Sequence, residues 1–202
     1  MSKYFSRMAI LAGLAATATL SLPAGATTTS WQIDPAHSSA QFAVKHLSIS
    51  TVRGAFTSVK GTIQLDDKDI SKSSVDVTID VNSVDTRVPD RDKDLRSDHF
   101  FDADHFATIT FKSKKVEQLA PGKLRVIGDL TIHGTTKEVV LDVDGPSAAI
   151  KDPWGNQRMG INASAKINRQ DFGVGANYPA AMIGEEISII IDAEMFQKKA
   201  AN

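Results

Sequence analysis

Ser74-Val75-Asp76-Val77-Thr78-Ile79-Asp80-Val81-Asn82 is the stretch on which the fold turns. Val75, Val77, Ile79 and Val81 share one face, and Asp76, Thr78, Asp80 and Asn82 share the other. A strict period of two belongs to a strand with an apolar interior on one side and water on the other. After Val88-Pro89 the period is lost. Asp90-Arg91-Asp92-Lys93-Asp94-Leu95-Arg96-Ser97-Asp98-His99-Phe100-Phe101 follows, dense in charge and ending in two aromatics. Proline at its head and acidic residues in its first turn predict a short helix, read as a lid beside the mouth of whatever the strands enclose.

The same alternation recurs outward from this segment. Upstream, Trp31-Gln32-Ile33-Asp34 precedes a Pro35-Ala36-His37 turn, and Ala40, Phe42, Val44 and His46 alternate with Gln41, Ala43 and Lys45. Downstream, Leu124, Val126, Gly128, Leu130 and Ile132 oppose Arg125, Asp129, Thr131 and His133, and Ile187 to Met195 closes the series. About eight substantial strands at short spacing predict an all-β fold, with no room for repeated βαβ crossovers. Each strand has one apolar face, so a single barrel is preferred over a sandwich. Gly54, Gly61, Gly128 and Gly160 sit in or beside strands, where bends let a sheet curl closed.

Residues 1–26 read as a secretory signal peptide. Lys3 and Arg7 precede an apolar run from Met8 to Leu22, and Ala24-Gly25-Ala26 offers a small-x-small cleavage site. Residues 27–202 then form one domain, expected to be exported to the periplasm. The net charge of −1 becomes about −3 once Lys3 and Arg7 are gone. A mildly acidic chain without a basic run argues against nucleic acid as a partner. With no cysteine, a disulfide framework is excluded, and the core and sheet must supply stability.

An eight-stranded barrel is either filled by its own side chains or holds one small ligand. Ala163, Ala165, Ala193 and Gly128 are small, whereas Phe42, Phe111, Met195 and several isoleucines are large. That mixture fits an elongated apolar cavity for a hydrocarbon chain, and it also fits an interlocked core.

Trp31-x-Ile33-Asp34-Pro35-Ala36-His37-Ser38 with Phe42-x-Val44-Lys45-His46 resembles the opening of the YceI-like family. Ser83-x-Asp85-Thr86, Arg91-Asp92, Leu95-x-Ser97 and Phe100-Phe101-Asp102 resemble its central signature. Gly128-x-Leu130-Thr131-Ile132-x-Gly134, Trp154-Gly155 with Arg158, and Arg169-x-Asp171-Phe172-Gly173 extend the likeness along the chain. Two departures stand out: Lys93-Asp94 where members often carry His, and Ala107 where they often carry Pro. The resemblance implies a lipocalin-like antiparallel barrel that binds a long-chain isoprenoid, such as a polyprenyl phosphate or isoprenoid quinone, inside.

On that reading the tail lies among Phe42, Val44, Val77, Ile79, Val81, Phe111, Leu130, Ile132, Ala163, Ile189 and Ile191. The head or lid residues are His46, Arg53, Arg91, Asp92, Arg96, His99, Phe100, Phe101, Arg169 and Phe172. Arginine presents a planar fork matched to phosphate oxygens, although each arginine can equally pair with a neighbouring aspartate. Asp98-His99, Asp102 and Asp104-His105 form the densest candidate metal cluster, read as solvated acids rather than a site. No cofactor is expected, and no nucleophile elbow, phosphate loop or dinucleotide fingerprint points to catalysis. An enzyme acting on an isoprenoid would need an acid–base pair such as His46 with Asp92. A scaffold protein of the envelope is the other rival. The expected partner is thus a long-chain isoprenoid or other amphipathic lipid, with no stable membrane insertion and self-association into a homodimer left open.

Overall fold

The computed structural model describes residues 28–197, so the expected signal peptide lies outside the described residues. In chain order the strands are β1 (Thr28–Ile33), β2 (Ser39–His46), β3 (Ser50–Phe56), β4 (Val59–Asp66), β5 (Ser74–Asp80) and β6 (Val84–Asp85). An α-helix, α1 (Pro89–Arg96), comes next, the one α-helix among the described residues. Then follow β7 (Thr108–Ala120), β8 (Lys123–Ile132), β9 (Thr135–Asp144), β10 (Ile150–Lys151), β11 (Gln157–Asn168) and β12 (Ile183–Gln197). Eight of them close an antiparallel ring in the order β1-β4-β5-β7-β8-β9-β11-β12, with β12 paired to both β11 and β1. The expected single barrel with a short helical lid is what forms.

The remaining strands show how the wall is extended. β12 pairs with β1 at its lower end, where Ile33 faces Met195, and with β2 above, from Asp192–Ser39 to Ile183–His46. β1 and β2 therefore continue one another along β12, interrupted by the turn at Asp34–Ser38. β3 and β4 do the same on the way down, since β3 pairs with β2 and β4 with β1. The upper β2–β3 hairpin is thus a prolongation of the barrel wall toward the lid.

The opening strand ends two residues earlier than its alternation suggests. The Asp80 carboxylate accepts from the Asn82 N–H at 2.9 Å and bends residues 81–83 into a 3₁₀ turn. Val81 is consequently not a wall residue. It is 1% exposed, and its N–H donates to the Ala107 carbonyl at 3.0 Å, beneath the returning lid segment.

Two glycines make room rather than merely bending the sheet. A Cβ at Gly128 would lie 2.6 Å from Phe111 Cζ, and one at Gly54 would lie 2.5 Å from Phe42 Cζ. Each aromatic ring lies over a glycine on the neighbouring strand, so the ring stays flat against the wall.

The lid is latched at its base. The buried Asp92 carboxylate accepts from the Thr86 N–H at 2.8 Å and from its hydroxyl at 2.5 Å. Proline at the first helical positions and Asp90 and Asp92 in the first turn agree with the expected helix start. The segment after α1 folds back by donating Phe101 N–H to Leu95 O and Ala103 N–H to Arg96 O. Phe100 stacks on Tyr178 with ring centres 5.0 Å apart, and Phe101 meets Phe56 edge-on at 5.5 Å.

Candidate functional site: an apolar cavity under the lid

The ring encloses a cavity of about 440 Å³. Its wall runs from Leu65 and Leu124 at the lower end to His46, Arg91 and Met182 at the lid end. This volume lies within the usual range for small-molecule sites. The wall is almost wholly hydrocarbon because strand alternation puts every second residue inside. On β12, Ile183, Ile187, Ile189, Ile191, Ala193 and Met195 all face in. Ala163, Ala165 and Ala193 stand where larger side chains would otherwise meet across the tube.

Of the residues read as tail contacts, Phe42, Val44, Val77, Ile79, Phe111, Leu130, Ile132, Ala163, Ile189 and Ile191 line this cavity. Val81 does not, for the reason given above. Of the head and lid set, His46, Arg91, Phe100, Phe101, Arg169 and Phe172 line it. Arg53 is exposed on β3 beside Val52, which faces in, so alternation turns the arginine outward. Asp92 is turned under Thr86, which also removes it as a partner for His46 in the cavity. Arg96 reaches the Val84 carbonyl at 3.4 Å, and His99 pairs on the surface with Asp94 at 2.8 Å.

Arg169 differs from a free anion grip. It is only 4% exposed, and its five N–H groups meet the carbonyls of Gly184, Val174, Gly175, Tyr178 and Ile183. A guanidinium has five N–H donors, so none is left over for a ligand oxygen. Burial pushes its pKa down from the ordinary arginine value. Its work is to hold the 174–184 loop against the barrel rim. Arg91 is less committed: Nε donates to the Thr86 hydroxyl at 2.8 Å and Nη2 to the Thr86 carbonyl at 3.0 Å, leaving Nη1 unengaged. Lys45 and Asp94 also line the mouth, as do Leu95, Tyr178 and Met182. Loop residues such as Tyr178 carry no periodic signal, so only the folded chain reveals them.

Near the lower end a second polar cluster ties the outer faces of β11 and β12 to the turn after β1. Arg158 Nη1 donates to Asp34 at 2.7 Å and to Glu194, while Nε donates to Asp152 at 2.9 Å. Asp34, His37 and Glu194 bring ligand atoms within 4.8 Å of one another, but a guanidinium already occupies the position between Asp34 and Glu194. Arg158 first and His37 second hold Asp34 at about 2, well below an ordinary carboxylate. Burial pushes Asp152 up, yet donors from Arg158 and Asn156 outweigh it and bring the group to about 2. Carboxyls depressed in the folded state stabilise it above their unfolded pKa, near 4, and that contribution is lost as pH falls toward 2. The contribution of this cluster to the urea midpoint should therefore be level from pH 7 to about 5 and fall steeply between about 4 and 2. In Arg158→Met the midpoint should be lower at pH 7 and the acid slope shallower. An unchanged acid slope in that variant would remove the cluster from the acid limb.

The surface histidines behave as ordinary ion-pair members. Hydrogen bonds donated to Asp94 and Asp102 raise the pKa of His99 and His105 respectively. The sequence cluster read as solvated acids thus forms separate His–Asp pairs, His105 meeting Asp102 at 2.8 Å.

The model of the YceI-like domain matches residues 31–195. A UPF0312 protein of Vibrio parahaemolyticus is 37% identical over 172 residues, covering 84% of this chain and 90% of that protein. The protein YceI of Salmonella newport is 37% identical over 163 residues, covering 81% and 83%. Among solved structures, the YceI protein of Campylobacter jejuni superposes with a TM-score of 0.69 at 33% identity, covering 77% of this chain and 90% of that one. A polyisoprenoid binding domain from Saccharophagus degradans shares the fold at a TM-score of 0.62 and 17% identity, covering 83% and 98%. With a matched family model across the barrel and relatives above a third identical over most of both chains, this chain belongs to the YceI-like family.

Proposed function

We propose that the protein is a non-catalytic carrier or sequestering protein for a long-chain isoprenoid or similar amphiphile, with the tail in the barrel and the head at the lid. The observation that carries this reading is the hydrocarbon-walled cavity of about 440 Å³ running the length of the ring. A buried hydrocarbon tail gains about 0.8 kcal/mol per methylene, so affinity needs no ion inside the tube. The polyisoprenoid binding domain that shares the fold supports the ligand class. Arg91, Lys45 and His46 stand at the mouth, where a polar head would emerge. The leader features at residues 1–26 support export to the periplasm as the place of action.

A series of prenyl alcohols of increasing length tests the reading. Each added isoprene unit should tighten binding by about tenfold or more until the tube is filled, because each one buries further methylenes. Any preference for a prenyl monophosphate over its alcohol should come from Arg91, Lys45 and His46 at the mouth, since Arg169 has no donor to offer a phosphate. Length-independent affinity would contradict a tail-filled barrel. Chemical conversion of the bound prenyl lipid would contradict the carrier role.

A further inference from the structure

The β2–β3 hairpin ends in an apolar tip at the cavity mouth. Leu47 is 48% exposed and Ile49 is 83% exposed. Leu47 and Ser48 have φ values of 50° and 59°, a left-handed pair that asparagine and glycine adopt most readily. A leucine there is only about half covered and Ile49 scarcely at all, so burial in the folded domain gives little to set against the strain. The tip is tied to the mouth: Leu47 N–H donates to the Met182 carbonyl at 2.9 Å. Met182 is itself 45% exposed and also lines the cavity. Lys45 and His46, the two residues leading into the tip, line the cavity as well.

Charge on this prong has one sign. Residues 39–56 carry Lys45 and Arg53 and no carboxylate, in a chain whose net charge is −1 with histidines neutral. The facing strand brings Glu185 and Glu186, of which Glu186 is paired with Lys166 at 2.8 Å. An apolar point with cations behind it suits a bilayer surface containing anionic lipid: the side chains enter the headgroup layer and the cations meet phosphate.

We propose that the Leu47–Ile49 tip docks the barrel mouth onto an anionic membrane surface, so that a lipid passes between bilayer and cavity without crossing water. This rests on the carrier reading above, because a long-chain lipid dissolves too poorly to arrive as a monomer.

The test uses the whole mature chain, wild type and L47N/I49S, with vesicles of phosphatidylcholine alone or with 30 mol% phosphatidylglycerol. Asparagine suits the left-handed position, and residue 49 is exposed, so the variant should fold. Wild type should co-sediment with the anionic vesicles and less with the neutral ones, and high salt should weaken the binding. Removing two apolar side chains should reduce vesicle binding and the rate of prenyl-lipid transfer between vesicles by roughly tenfold or more. Uptake of a prenyl alcohol presented in detergent should match wild type and serves as the folding control. Wild type that ignores both vesicles while binding the detergent-presented alcohol overturns the docking proposal and leaves the carrier reading standing. A dimer that dissociates in L47N/I49S, with no vesicle binding, overturns it in favour of a second copy as the occupant. Failure of wild type to bind the alcohol in detergent sinks the carrier reading instead.

Discussion

Ala165→Phe should abolish prenyl-lipid uptake while leaving the barrel folded. Ala165 lies on β11 opposite Ile189 of β12, and both side chains face the cavity. A phenyl group there projects into the tube and displaces the tail. Losing as few as four buried methylenes, at about 0.8 kcal/mol each, weakens binding by more than about a hundredfold. The effect on stability has the opposite sign to that in a packed interior. Overfilling a solid core costs about 1–3 kcal/mol, whereas filling a void is neutral or stabilising. Thermal melting read beside a fluorescent prenyl titration therefore separates the two cases. Ile79→Asp should also end uptake by placing a carboxylate in the oily wall, with the melt again serving as folding control because an unpaired buried charge destabilises. A destabilised Ala165→Phe barrel that binds the probe normally would mean there is no void for the tail.

The largest expected loss of stability belongs to Arg169→Ala. This arginine is the hub of the loop between β11 and β12, and truncating it strands five backbone carbonyls at a site where the side chain is 4% exposed. Breaking such a buried charged network costs about 3–5 kcal/mol, or roughly 10 °C in Tm for a domain of this size. Arg169→Lys should recover little, because an ammonium has three donors and lacks the planar fork. Calorimetry checks both variants. Near-wild-type melting of Arg169→Lys would show that the bond network contributes less than its geometry implies. Reduced ligand binding without loss of stability would return Arg169 to the role of a head contact.

Alternation makes the walls legible in the sequence itself. Val75, Val77 and Ile79 announced β5, and the same period placed Ile189 and Ile191 inside the ring. Local rules also located α1, because proline and first-turn aspartates act within a few residues. Val81 departs from the alternation because the Asp80 carboxylate caps a turn there, and a capping bond overrides a period of two. The arginines carry the least local signal. Their roles depend on partners far along the chain: Arg158 meets Asp34, and Arg169 meets carbonyls of the 174–184 loop. Spacing carries no trace of such contacts. Gly128 shows a third case, where a residue read as a bend does sit at the β7–β8 bulge and also leaves the space that the Lys112 carbonyl and the Phe111 ring need.

Mass spectrometry of an organic extract, taken from the protein purified out of its native host without added lipid, reads the occupant of the barrel directly. The cavity calls for a long-chain isoprenoid or comparable amphiphile in near one-to-one ratio with protein, absent from an extract of Ala165→Phe. An extract empty of long-chain lipid, or equal amounts of lipid from both proteins, would contradict it.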